Sequence, residues 1–273
     1  MLLDGQAVAL RIVLAGGHLH LIGRDGMTRA TPARARPSSR RSLPVGGVIV
    51  QLVLVRHALP QRIHPADAPA ADRPGGPADP PLTPRGEEQA QRLVGALAAE
   101  PVAGLYTSPL TRARATAAPL AAALGLEPIV VDDLREYDAD AAHYVPVHEM
   151  PRLDPAAWER MRAGLLPESV DVGAFTRRVA AAFEGIIAAH PGRETAVVVA
   201  HAGVVNTWLA QLLGLDRPLV FPLDYTGITR VLAGRDGRRV VRTVNEIAHV
   251  ADLLTPPAPT PAPPRGDAAR CSP

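Results

Sequence analysis

The sequence predicts an α/β fold of three layers, with a mostly parallel central sheet and helices on both faces. Three observations carry this. Two near-continuous apolar runs, "VIVQLVLV" (48–55) and "TAVVVA" (195–200), have the pattern of strands buried on both sides. Strand and helix signals alternate between residues 48 and 254, the order that parallel strand–helix–strand units produce. Near the end, Arg235-Asp236-Gly237 separates "GITRVLAG" from "RRVVRTVNEI" and predicts a hairpin, which adds an antiparallel element.

The elements follow in order. "LTPRGEEQAQRLVGALAAE" reads as a helix: Thr83 caps it, Pro84 suits its first turn, and Ala90, Leu93, Val94 and Leu97 form an apolar stripe. "GLYTS" is a short strand leading into "SPLTRARATAAPLAAALG". There Ser108 is the expected cap, Pro109 the first helical residue and Gly125 the stop, with Pro119 inside. "EPIVV" is a short strand. "VGAFTRRVAAAFEGIIAAHPG" is a long amphipathic helix with Phe175, Val179, Phe183 and Ile186 on one side. After "TAVVVA", "GVVNTWLAQLLG" is a further helix.

Composition separates three regions. Residues 1–47 lack sustained periodicity and end in an Arg-, Pro- and Ser-rich run, so a disordered or untranslated N-terminal extension is expected there, with Val48 or Val50 as the alternative start. Residues 48–254 form the domain, and residues 255–273 a Pro-rich flexible tail. Every one of the 29 basic residues is arginine. Seven of them stand against Asp4 and Asp25 before residue 48, which gives that segment +5. Removing it and the tail's +1 from the formal +2 leaves the body at about −4, so no nucleic-acid-binding face is expected. The single cysteine, Cys271, excludes an internal disulfide and a cysteine zinc site, and fits a cytoplasmic location. No apolar run reaches the roughly 18–20 residues of a membrane span, and Arg11 interrupts the only stretch resembling a leader.

Both apolar strands end on polar, cation-capable residues: Arg56-His57 and His201. In open α/β sheets, ligands gather at the carboxyl ends of strands, and the helix that follows offers backbone N–H groups to an anion. Arg112 stands at a predicted helix start, with Arg114 turned away from it around the helix, and Glu136 follows the next short strand. Two arginines and two histidines around one point suit a dianionic phosphoryl group, because planar guanidinium forks match its oxygens and stay charged. One imidazole can attack phosphorus, and Glu136 can protonate the leaving alkoxide. Charge stabilisation then comes from side chains, so neither a metal nor another cofactor is expected.

"LVLVRHA", "LTPRGEEQA", "LYTSPLTRARATA", "LRE" and "VVVAHAG" resemble, in order and content, the histidine phosphatase superfamily, in its phosphoglycerate-mutase-like branch. "YTGITRV" and "TVNEIAHV" resemble its closing strands, so the resemblance spans roughly residues 49–250. It implies that His57 is a phosphohistidine nucleophile and Glu136 the proton donor, and that Arg56, Arg112 and His201 hold the phosphate. It also implies that the segment after Glu136, residues 137–168, is inserted over the site. The expected function is metal-independent hydrolysis of a small phosphorylated metabolite; oligomeric state is left open.

Two departures from the pattern matter. Ala58 replaces the glycine of the Arg-His-Gly signature and would be strained by about 1–2 kcal/mol if that position required a positive φ. The Ser/Thr and Asn that face the substrate in phosphoglycerate mutases are absent, and a Pro-rich loop stands in their place, which favours phosphatase over mutase. A catalytically silent phospholigand-binding module is the remaining alternative, and the presence of all five polar residues weighs against it. His64, His143, His148, His190 and His249 show no ligand spacing, and Arg152, Arg160 and Arg162 read as solvated charges.

Overall fold

The computed structural model describes residues 11–15, 18–22, 49–64 and 76–254. Two units separate along the chain, one within Met1–Val45 and the other within Gly46–Pro273. In the first, β1 (Arg11–Ala15) pairs antiparallel with β2 (His18–Ile22). The rest of the extension expected to be disordered, and the Pro-rich tail, lie outside the described residues.

The second unit is built on a six-stranded sheet. Its strands are β3 (Ile49–Arg56), β4 (Val102–Thr107), β5 (Ile129–Val130), β6 (Thr195–Ala200), β7 (Ile228–Gly234) and β8 (Arg239–Glu246), in the order β5-β4-β6-β3-β7-β8. β3, β4, β5 and β6 pair in parallel, and β7 runs antiparallel to both β3 and β8. The Asp236-Gly237 hairpin thus supplies the one reversed strand.

Strand alternation divides the core into two layers. Leu52, Leu54, Val198 and Ala200 face α5 (Val172–Ala189) and α6 (Ala202–Leu213), where Phe183 stacks on Trp208 with ring centroids 4.2 Å apart. Val53, Val55, Val197 and Val199 face α1 (Pro84–Leu97) and α2 (Thr111–Leu124). These strand side chains are almost fully buried on both faces, at roughly 1.5–3 kcal/mol for each Val or Leu. That double burial explains why the strands read as continuous apolar runs rather than alternating ones. Among the described residues, no helix is long and apolar enough to cross a membrane.

Thr83 caps α1 by accepting the Gly86 N–H at 3.0 Å, as expected. The start of α2 differs from expectation. The helix opens at Thr111, not Pro109, and Ser108 is not its cap. Asp79, from the loop ahead of α1, takes that role: both its carboxylate oxygens accept the Thr111 N–H at 2.9 Å, and one accepts the Thr111 hydroxyl at 2.7 Å. Arg112 consequently sits at the second helical position. It is buried, while Arg114 is exposed on the opposite face.

The segment 137–168 forms two short helices, α3 (Met150–Leu153) and α4 (Pro155–Arg162), the latter capped by Asp154.

Candidate active site

Sheet register assembles the centre of the site. β3 and β6 are parallel neighbours with Arg56 opposite Ala200, so the next residue on each, His57 and His201, emerge side by side with ring centroids 5.1 Å apart. β4 ends one strand further on, Thr107 opposite Val199, and delivers Ser108 to the same edge. β5 is followed by a 3₁₀ turn, Asp132–Leu134, that leads into Glu136. Arg56, His57, Arg112 and Glu136 line one cleft of about 730 Å³, with His201 fully buried against His57. The structure therefore brings all five expected polar residues to one place.

His57 Nδ1 lies 2.8 Å from the Ala58 carbonyl oxygen, which can only accept, so Nδ1 carries the proton and Nε2 the lone pair. His201 Nε2 is 2.7 Å from the Ser108 hydroxyl, which also accepts the Leu110 N–H. Burial pushes both imidazoles well below their usual range, with the Arg112 charge the next contribution in each case. Both are neutral at ordinary pH.

Arg56 donates through Nη1 to the Leu223 carbonyl at 2.5 Å, and its guanidinium lies 3.9 Å from the centre of the Tyr225 ring. Arg112 stacks 4.7 Å from the centre of Tyr144 and reaches Asp138 at 3.4 Å and Asp79 at 3.8 Å. Several of the site's buried polar atoms make no hydrogen bond to protein: Arg56 Nε, Arg112 Nε and Nη1, and His201 Nδ1. Unsatisfied donors on two guanidiniums are costly unless a ligand takes them. An anion with several acceptor oxygens matches them.

Glu136 accepts the Gly203 N–H at 2.8 Å and its neighbour's, Tyr137, at 3.1 Å. The anion met by the start of α6 is thus this carboxylate. Burial, then the charge of Asp138, raises its pKa to about 7, against the opposing pull of the two N–H groups and Arg112. Gly203 makes the approach possible. A Cβ there would stand 2.3 Å from Glu136 Oε1 and 2.7 Å from the Tyr137 ring. Gly203→Ala should displace the carboxylate. We expect turnover of esters with poor leaving groups to fall at least about 100-fold, the scale of a lost general acid. Wild-type rates on such an ester would show that the carboxylate had not moved.

The turn before β7 carries strain. Thr226 has φ 56°, is fully buried, and returns its N–H to the Arg56 carbonyl at 3.0 Å. A β-branched residue there is a backbone outlier. The turn places Tyr225 beneath Arg56 and 5.8 Å from His57, ring centre to ring centre. Ala58, by contrast, is unstrained: Thr226 and Asn245 are the non-glycine residues with positive φ among those described. Its N–H donates to Thr116 Oγ1 at 2.9 Å, and its methyl packs with Leu82, Ala90 and Ala115.

Sequence reasoning missed Ser108, which it read as a cap, and the supports Asp138, Tyr144 and Tyr225. "TSPLTR" held the signal for Ser108, because a serine directly after a strand points at the sheet edge as readily as at a helix. His143 and His148 also line the cleft. Among the described residues, no group of three or more His, Cys, Asp or Glu is arranged to hold a metal ion.

Two histidines and two buried guanidiniums at the carboxyl edge of a parallel sheet define a class, the α/β enzymes that act on phosphoryl groups. Comparison with known proteins narrows it: the profile of the histidine phosphatase superfamily (branch 1) matches residues 52–246, and the chain belongs to that superfamily of phosphatase- and mutase-like enzymes. It is 28% identical over 212 residues to phosphoserine phosphatase 1 of Hydrogenobacter thermophilus, covering 75% of this chain and 96% of that protein. It is 32% identical over 181 residues to the PE-PGRS family protein PE_PGRS11 of Mycobacterium tuberculosis, covering 58% of this chain. The chain spans only 31% of that second relative's length. A solved phosphoserine phosphatase of Entamoeba histolytica, in complex with 3-phosphoglyceric acid, shares the fold at TM-score 0.56 and 21% identity over 74% of this chain and 99% of that one.

Proposed function

We propose that this chain is a metal-independent phosphomonoester hydrolase that acts on a small phosphorylated metabolite through a phosphohistidine at His57. The observation that carries this reading is the set of unpaired donors on Arg56, Arg112 and His201 around a neutral His57. They offer a dianionic phosphoryl group directional, charged contacts without a divalent cation.

His57 Nε2 attacks phosphorus, the ester P–O bond breaks, and the leaving alkoxide takes the proton of Glu136. The resulting Glu136 carboxylate then accepts a proton from water, whose oxygen attacks the phosphohistidine. Inorganic phosphate leaves and His57 is regenerated. Arg56 and Arg112 hold the equatorial oxygens through both steps, with His201 Nδ1 as a further donor when Ser108 donates to Nε2. A cytoplasmic setting fits this reading, since the lone Cys271 would stay reduced there.

Phosphate release from a panel of phosphate esters in EDTA tests the proposal. Release at a rate unchanged by the chelator is the expected result. No release from folded protein on any ester, or transfer to a second phosphoglycerate instead of water, would overturn it.

A further inference from the structure

We infer that the ester this cleft accepts carries an apolar organic group, an alkyl or aryl chain, rather than a carboxylate-bearing amino or sugar acid. The inference rests on the phosphatase reading of the same cleft. Beyond the phosphoryl end, the wall is formed by Val145, Val147, Met150, Trp158 and Met161. None of these belongs to a hydrophobic core cluster, yet each is half-buried within the cleft. α3 and α4 bury no residue of their own against the body. The side chains of Met150, Trp158 and Met161 line the cleft, continuous with the site that holds the phosphoryl group. Clefts of this size bind ligands mainly through such walls, with a few polar groups setting orientation.

The charged groups point the same way. Besides Arg56 and Arg112, the arginine on the cleft lining is Arg162, which is largely exposed and pairs with Glu159 at 3.0 Å. Asp138, Asp154 and Asp224 also line the cleft. A substrate carboxylate a few atoms from phosphorus would meet these acids and the imidazoles of His143 and His148, with no guanidinium beyond the paired Arg162 among the described lining residues, and would lose its water in doing so. An apolar chain meets a wall that gains by being covered.

The test is kcat/KM on ethyl, butyl and hexyl phosphate, whose leaving groups are nearly equal in basicity, beside phosphoserine and 3-phosphoglycerate. Nitrophenyl phosphate reports the basal chemistry. The series should climb by up to about fourfold per methylene, the factor that methylene burial supplies, and hexyl phosphate should exceed both acids at least about tenfold. Trp158→Ala should shrink the hexyl-to-ethyl ratio by about tenfold or more, on the scale of a large apolar contact. Taken within one preparation, that ratio does not depend on how much of the variant folds. A flat series, or a preference for phosphoserine or 3-phosphoglycerate while nitrophenyl phosphate is still hydrolysed, overturns the inference and leaves the phosphatase reading standing. No turnover of any ester removes both.

Discussion

His57→Ala should reduce phosphate release by about four to six orders of magnitude, the scale on which removing a catalytic nucleophile acts in other covalent enzymes. The effect is large because no adjacent group among the described residues can replace it. His201 is neutral, but its Nε2 is held by Ser108. The variant also separates chemistry from binding. Arg56, Arg112 and His201 keep their places on the sheet edge, so inorganic phosphate should still bind within about tenfold, a cost comparable to one lost hydrogen bond. Quench experiments with labelled ester should trap acid-labile phosphate on the wild type and none on the variant. Residual turnover within tenfold of wild type would remove His57 from the chemistry.

Glu136→Gln should lower turnover of alkyl phosphates by about 10²–10⁴-fold, the usual contribution of a positioned acid. Nitrophenyl phosphate should lose much less, because its leaving group departs without a proton. Equal losses on both would deny Glu136 the donor role. The pH dependence follows from the same environment. Burial and Asp138 hold the Glu136 pKa at about 7, so the acid is present below that pH and is lost as pH rises through it. On alkyl esters, the rate should then fall about tenfold per pH unit above 7 if chemistry limits it. His57 is pushed the other way, below the ordinary imidazole range, and stays nucleophilic at mildly acidic pH. The wild-type profile should be a plateau with a steep alkaline limb, and the alkaline limb should vanish in Glu136→Gln.

The features legible in sequence were those set by neighbours a few residues away. The runs ending at Arg56 and Ala200 announced buried parallel strands, and Thr83, Gly125 and Asp236-Gly237 marked ends and turns where the structure has them. Ser108 went astray because the true cap of α2 comes from Asp79, 32 residues earlier, which no local pattern reveals. The hold of Gly203 on Glu136 spans 67 residues, and that of the Leu223 carbonyl on Arg56 spans 167. Such contacts exist only once the sheet order is set. The cover segment, with only weak helical character in sequence around Trp158 to Leu165, was harder to read for a different reason. Its short helices bury no residues, so they lack the periodic apolar stripe that makes a helix readable.

The turn at Thr226 sets two pressures on this protein against each other. A β-branched residue held at positive φ in the interior makes the folded state less stable than a glycine there would, by about 1–3 kcal/mol. Descendants living in warmer surroundings would gain by relaxing it. Yet the same turn fixes the aromatic shelf on which Arg56 rests. Heat tolerance and turnover would compete for one position, and that competition ties how quickly the chain can adapt to temperature to how much catalytic precision it can give up.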